Sequence, residues 1–300
     1  MKYPIYPLVF FATLLFGCGN DESATDATGV FESTEIIVSS EAIGKILALD
    51  ISEGDKVSKD QVVGLIDSTQ LHFSRLQLEA SKVTVASGKP DIQAQIEATQ
   101  REIEKQEREK ERIERLLEGD VATQKQLDDI ESAILVLKAR LRSQKSSLSN
   151  SANSVDAQGM ALDVQIAQLD DQIDKCRIKA PIDGTVLVKY AEPGEVTAMG
   201  KALFKVADME HMNLKAYVTA DQLVRLKVGQ QVEVLAEFGE SELRPYEGTI
   251  TWISSKSEFT PKTIQTQDER ANLVYAVKIA VPNDGYLKIG MYGGFKLPSE

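Results

Sequence analysis

Two apolar rhythms divide this chain. Short stretches of period two occupy residues 36–67, 178–208 and 209–298, and a long 3-4 alternation fills residues 68–177. Period two sends successive side chains to opposite faces of a strand, whereas a 3-4 alternation gathers them on one stripe of a helix. The first two β stretches repeat each other. One reads Gly44-Lys45-Ile46-Leu47, then Gly54-Asp55-Lys56-Val57, then Val62-Val63-Gly64-Leu65-Ile66-Asp67. The other reads Gly184-Thr185-Val186-Leu187, then Gly194-Glu195-Val196, then Leu203-Phe204-Lys205-Val206-Ala207-Asp208. Each copy is too short to bury a core alone, so the two are expected to close on each other as one domain. The chain leaves a small β-domain, travels outward and returns to finish it.

The outward journey reads as a coiled-coil hairpin. Ile92, Ile96, Ile103, Ile113 and Leu117 mark the outgoing seam, with Thr99, Gln106 and Lys110 at intervening positions. Leu127, Ile130, Ile134, Leu137, Leu141 and Leu148 mark the return, with Gln144 filling one step, and Leu162, Ile166, Leu169, Ile173 and Cys176 resume it. A single narrow stripe at this spacing is a two-helix seam, and the surrounding Glu, Gln, Lys, Arg, Ala and Leu favour helix. The tip falls at residues 118–123: Gly119 is the expected left-handed cap, and Thr123 with Gln126 makes a capping box. Pro90 breaks the outgoing helix within residues 87–91. The Ser- and Asn-rich residues 149–154 lie at a similar distance from the tip, so the two interruptions are expected to face each other and form a hinge. An arm of this kind would reach ~75 Å at ~1.5 Å per residue. That length suits a strut between separated partners better than a catalytic pocket.

Beyond residue 208, strands are expected at 213–218, 231–235, 246–253, 273–281 and 293–297, with one short helix over 219–226. Such spacing predicts a small β-barrel, with Trp252 and Phe259 filling it or lining an interface. At the other end, Lys2 precedes an apolar run over residues 8–16 that is too short to span a bilayer. It closes on Leu15-Phe16-Gly17-Cys18, so residues 1–18 read as a targeting segment and 19–35 as a tether.

Composition narrows the chemistry. Thirty-four basic and 46 acidic residues give a formal net charge of −12, which argues against a nucleic-acid partner or polybasic membrane docking. The two histidines, His72 and His211, are far apart, and no Cys/His cluster has metal-ligand spacing. No nucleophile–base set is recognisable, so the expectation is a non-enzyme without cofactor or metal. Cys176 lies on the apolar face of its helix and reads as a small core residue.

In order and spacing these parts resemble a bacterial membrane fusion protein of the HlyD type, or periplasmic adaptor. The resemblance rests on Arg177-Ile178-Lys179-Ala180-Pro181-Ile182-Asp183-Gly184, on Glu192-Pro193-Gly194, and on Gly290-Met291. It also rests on the run Glu258-Phe259-Thr260-Pro261-Lys262-Thr263-Ile264-Gln265-Thr266, which is similar to a subgroup working with ABC-type exporters. It implies an α+β multidomain fold: a split lipoyl-like β-sandwich (a barrel-sandwich hybrid) at 36–67 and 178–208, an inserted helical hairpin at 68–177, and a β-barrel at 209–298. It implies a homo-oligomeric ring, commonly of six, linking an inner-membrane ABC-type transporter to an outer-membrane TolC-like channel. The family's duct-docking pattern falls on Arg112, Leu116 and Thr123, where serine is the commoner last residue. Leu-x-Gly-Cys resembles a lipoprotein signal, which implies a lipid on Cys18 and an anchor in the membrane, the inner one by expectation. Two other readings share features: a biotin- or lipoate-carrying enzyme subunit, which would display a lysine at the turn after Asp67, and a structural lipoprotein spacing two membranes.

Overall fold

The computed structural model describes residues 25–239, 242–259 and 273–297. The repeat builds a sandwich of two four-stranded sheets. Its first half supplies β2 (Glu35–Ser39), β3 (Gly44–Leu49), β4 (Lys56–Val57) and β5 (Val62–Ile66). The second supplies β6 (Arg177–Lys179), β7 (Gly184–Lys189), β8 (Val196–Thr197) and β9 (Ala202–Ala207). The sheet orders are β2-β9-β7-β4 and β6-β5-β3-β8, so each sheet mixes both halves. A pseudo-twofold relates them. The Gly54 N–H donates to the Val186 carbonyl and the Gly194 N–H to the Ile46 carbonyl, both at 2.8 Å. Gly54 and Gly194 stand at φ +93° and +97°, a turn conformation that costs glycine little. Ile46, Leu49 and Ile66 pack with Val186, Leu203, Phe204 and Val206 in one shared core. Neither half could bury these side chains alone.

Between β5 and β6 stand α1 (Thr69–Ser87), α2 (Ile92–Glu118) and α3 (Gln124–Lys175). The outgoing arm breaks at the proline, and α2 restarts with the Asp91 carboxylate accepting from the Ala94 N–H at 3.0 Å. The returning arm does not break: α3 runs unbroken for 52 residues through 149–154, which overturns the expected hinge. Serine and asparagine each cost a helix only a few tenths of a kcal/mol, far less than proline. Packing supplies the rest, because the seam continues through Leu148, Ala152, Val155, Gly159 and Leu162, with Ala152 buried. Its one irregular step, four residues from Leu148 to Ala152, is a local stutter. Near it Lys89, in the α1–α2 link, reaches Asp156 of α3 at 2.8 Å.

Ion pairs fix the register of the arms. Arg75 meets Asp170 at 2.6 Å, Lys82 meets Asp163, and Lys89 meets Asp156, each step seven residues out on one arm and seven back on the other. Nearer the tip, Lys138 pairs with Glu107 and Lys110 with Glu131, both at 2.7 Å, and the Thr99 hydroxyl donates to Gln144 at 2.8 Å. The polar seam positions are therefore satisfied within the hairpin.

The barrel comprises β1 (Ala27–Glu32), β10 (His211–Thr219), β11 (Gln231–Phe238), β12 (Glu242–Ile253), β14 (Leu273–Pro282) and β15 (Tyr292–Phe295). Its order is β10-β1-β15-β11-β12-β14, closed by β14 against β10, with the two-residue β13 (Glu258–Phe259) beside β14. A single-turn helix, α4 (Ala220–Leu223), carries a capping box of Thr219 and Gln222. β1 lies inside the stretch expected to be a tether, which is corrected accordingly. Its inward positions are Ala27, Gly29 and Phe31. A Cβ on Gly29 would stand 2.2 Å from the Lys215 carbonyl oxygen, so the close approach of β10 requires glycine there. Phe31, Met212, Leu214, Ile250, Ile279, Leu287 and Phe295 fill the interior. Trp252 does not: it stands outside, 43% exposed, beyond a bulge after Ile250. The Phe259 side chain and the run from Thr260 to Thr266 lie outside the described residues.

Candidate functional site: the hairpin tip

The tip is shaped by backbone bonds at the end of α2. The Leu116 carbonyl accepts from the N–H groups of Val121 at 2.8 Å and Ala122 at 3.3 Å, folding the chain back on its last turn. The left-handed residue is Asp120, at φ +53°, and not Gly119, which sits at φ −95°. Aspartate is among the few side-chain-bearing residues that tolerate this region. Thr123 then caps α3, its N–H and its hydroxyl both donating to the Gln126 side-chain oxygen, at 2.9 and 3.1 Å. This is the predicted capping box.

The three sequence-predicted residues fall as follows. Arg112 and Leu116 lie one turn apart on the outer side of α2 and share a face. The Arg112 side chain is 62% exposed and pairs with Glu109 one turn back. Leu116 is 36% exposed, and Val121, at the turn, is 75% exposed. Thr123 is exposed and holds the start of the return. The site thus offers a planar donor fork, two apolar knobs and a small capped helix end. It holds no nucleophile–base arrangement. Among the described residues no group of three or more His, Cys, Asp or Glu could hold a metal ion.

Two further regions carry chemistry. At the hairpin base Cys176 is 1% exposed, and burial, helped by the Asp67 carboxylate, pushes its thiol above the ordinary value, which is the state of an inert core thiol. Between sandwich and barrel lies a cleft of about 1370 Å³, flanked by Lys56, which meets Glu210 at 3.4 Å, and by the Asp208–His211 pair at 3.0 Å. Also on its lining, the Lys288 ammonium donates to the Gly285 carbonyl at 2.8 Å and Asp284 pairs with Arg244 at 3.1 Å. Cys18 lies outside the described residues, and among those described no helix is long and apolar enough to cross a membrane.

Residue-level reading of the sequence missed a second apolar stripe on the sandwich-proximal half of the hairpin. Phe73, Leu76 and Val83 on α1 are 60%, 55% and 71% exposed, and Met160 and Val164 on α3 are 69% and 60% exposed. With Ala80 and Ala157 they repeat the 3-4 spacing on the faces turned away from the seam. That repeat was the available signal.

A split sandwich, a coiled-coil hairpin grown from its turn and a closed barrel together define a membrane fusion protein of the HlyD type. A family model described as "CzcB-like, barrel-sandwich hybrid domain" matches residues 34–208, and the chain belongs to that family. A UPF0194 membrane protein of Citrobacter koseri is 26% identical over 83% of this chain and 81% of its own length. One from Yersinia pseudotuberculosis is 25% identical over 96% of this chain and 95% of its own. Among solved structures, MacA from Actinobacillus actinomycetemcomitans is 20% identical, with a TM-score of 0.51 over 90% of this chain and 76% of that one, which is a likeness of fold.

Proposed function

We propose that the chain is the periplasmic adaptor of a tripartite export system, linking an inner-membrane ABC-type transporter to a TolC-like outer-membrane duct. Its role in this reading is mechanical, without catalysis or cofactor. The observation that carries the proposal is the tip: Arg112, Leu116 and Thr123 stand at the end of an arm whose return helix of 52 residues spans ~78 Å at ~1.5 Å per residue. The outward stripes of Phe73, Leu76 and Val83 on one edge and Met160 and Val164 on the other support a ring of copies, six by analogy with the family, in which α1 of one meets α3 of the next. Such a head-to-tail contact closes if its rotation closes. A lipid on Cys18 would hold the ring to the membrane, the inner one by expectation, and the mass of the mature N-terminal peptide tests this. Against the carrier reading stands the turn after Asp67, which passes into α1 with no lysine before Lys82.

Leu116→Asp tests the docking contact. A carboxylate placed in an apolar interface loses that contact and carries an uncompensated desolvation cost. Export should fail while helix content and ring assembly stay normal. Thr123→Ser keeps both size and cap and should be silent. Normal export by a well-expressed Leu116→Asp protein would sink the assignment.

A further inference from the structure

The barrel has two ends, and its backbone pairing identifies the one at which the N-terminal segment enters. At one end Glu32 pairs with Asn213 and His211 with Pro282, and there β1 and β10 continue into the sandwich. At the other end Ala27 pairs with Phe295 and Thr219 with Val274. The nine residues of β10 set these ends ~30 Å apart at ~3.3 Å per residue. Asp26 ties the entering chain to the far end. Its N–H donates to the Phe295 carbonyl at 3.1 Å, its carboxylate accepts from the Leu297 N–H at 2.7 Å, and its carbonyl accepts from the Gln222 side chain of α4 at 2.7 Å. Cys18 precedes Asp26 by eight residues, a path of at most ~28 Å at ~3.5 Å per residue. An acyl anchor on Cys18 would therefore hold this end of the barrel, and not the sandwich end, against the bilayer.

The turn beside Asp26 carries a short amphipathic segment. After α4 the chain reads Val224-Arg225-Leu226-Lys227-Val228. Leu226 is buried in the barrel core and pins the turn, while its neighbours are exposed. Val224 is 83% exposed and Val228 62%, and Leu273, at the start of β14 on the same end, is 43% exposed. Arg225 and Lys227 stand between the valines, and among the described residues they make no ion pair. Nearby carboxylates are engaged elsewhere: Asp26 as above, and Glu233 with Lys296 at 2.9 Å. Asp221, in the first turn of α4, is the one other carboxylate of this segment.

Single exposed valines are ordinary on a protein surface. Here two of them, with two cations, sit beside the point where the chain enters the barrel. Such a group suits a bilayer surface, where apolar side chains enter the boundary of headgroups and acyl chains and cations stay with the phosphates. The net charge of −12 makes an anionic surface repel most of this molecule, so close approach is confined to an end with unpaired cations.

We infer that the turn from Val224 to Val228, with Leu273, is a bilayer-contact surface that seats the barrel on anionic phospholipid. This rests on the proposed lipid at Cys18 and extends it, from an attachment point to an orientation of the molecule. With the far end of the barrel on the bilayer, the sandwich and hairpin stand away from it. The anchor keeps the turn at high effective concentration near the surface, so weak contacts suffice.

The test uses the full-length protein in vesicles of phosphatidylethanolamine and phosphatidylglycerol. Val224→Cys, Ile43→Cys on the sandwich and Val121→Cys at the tip each carry the environment-sensitive dye NBD. The buried Cys176 thiol, its pKa raised by burial, does not compete for the dye. Emission at residue 224 is expected to shift to the blue and to be quenched by nitroxide-bearing lipid, with residues 43 and 121 unchanged. Arg225→Gln with Lys227→Gln should reduce the shift to that seen on neutral phosphatidylcholine. Arg140→Gln with Arg142→Gln, an equal change of charge on α3, should leave it unaltered. An unshifted label at residue 224, or an equal shift at residue 43, overturns the inference. So does a shift that needs vesicles of native inner membrane and is absent from pure lipid, since it assigns the turn to a protein. The mass of the mature N-terminal peptide separates this from the anchor reading. Acyl mass with no shift at residue 224 keeps the anchor and removes the surface. Where acyl mass is missing, the labelled chain with Cys18→Ser is added to the vesicles from solution. A shift at residue 224 then keeps the surface without the anchor, and no shift removes both.

Discussion

Asp208 shows how one side chain secures a crossing between domains. Its carboxylate accepts from the N–H groups of Glu210 at 3.0 Å and His211 at 3.1 Å and pairs with the His211 ring. Burial pushes its pKa up, but these hydrogen bonds outweigh burial and hold it below the ordinary 3.8. A depressed acid stabilises the native state fully above its unfolded pKa and loses that contribution as pH falls through the folded value. Asp208→Asn should therefore lower the melting temperature at neutral pH, and the gap from the natural protein should shrink below pH 3.8. Thermal melts across that range decide it, and a gap unchanged at low pH would exclude the charge as the cause. Gly159 offers a prediction of opposite sign. It lies within α3, and a Cβ there would meet nothing within 4 Å. Gly159→Ala should raise helix stability by about 1 kcal/mol, the usual difference between these residues in a helix, read as a higher denaturation midpoint.

Among the elements, what was legible in the sequence depended on how many residues carried each signal. The coiled coil repeats its seam over more than ten turns, and the sandwich halves repeat each other, so both were readable. So was the tip, where Thr123 and Gln126 state their cap directly. The β1 strand was not readable, because its three inward positions include Ala27 and Gly29, and the information that they face inward sits on β10 and β15. The expected hinge failed for a related reason. Residues 149–154 were judged by propensity, whereas the seam positions Ala152 and Gly159 continue the stripe with side chains too small to register as apolar. At the tip, glycine was expected to take the left-handed turn on general preference, and Asp120 takes it instead. Of the candidate site, Arg112, Leu116 and Thr123 were named through resemblance, and the structure places them together at the tip.

At the scale of the whole molecule, the hairpin is a detour between two strands that lie side by side. The Ile66 N–H donates to the Cys176 carbonyl at 2.8 Å, so the chain leaves and re-enters the sandwich at one point. Bringing those ends together through a flexible chain of the same length would cost about 4 kcal/mol or more in lost entropy. Helices form within microseconds and their contacts are local. The antiparallel arms can therefore zip from the tip inward, each ion pair of the Arg75, Lys82 and Lys89 ladder shortening the remaining loop. The arm then serves as a splint that delivers β6 to β5. Assembly of the sandwich should wait on the hairpin, although its core touches almost none of it. A lesion remote from that core, such as Leu137→Asp in the distal seam, should slow sandwich formation in stopped-flow refolding several-fold while leaving its unfolding rate nearly unchanged. On this account the long arm should come first in time, and the compact domain at its foot last.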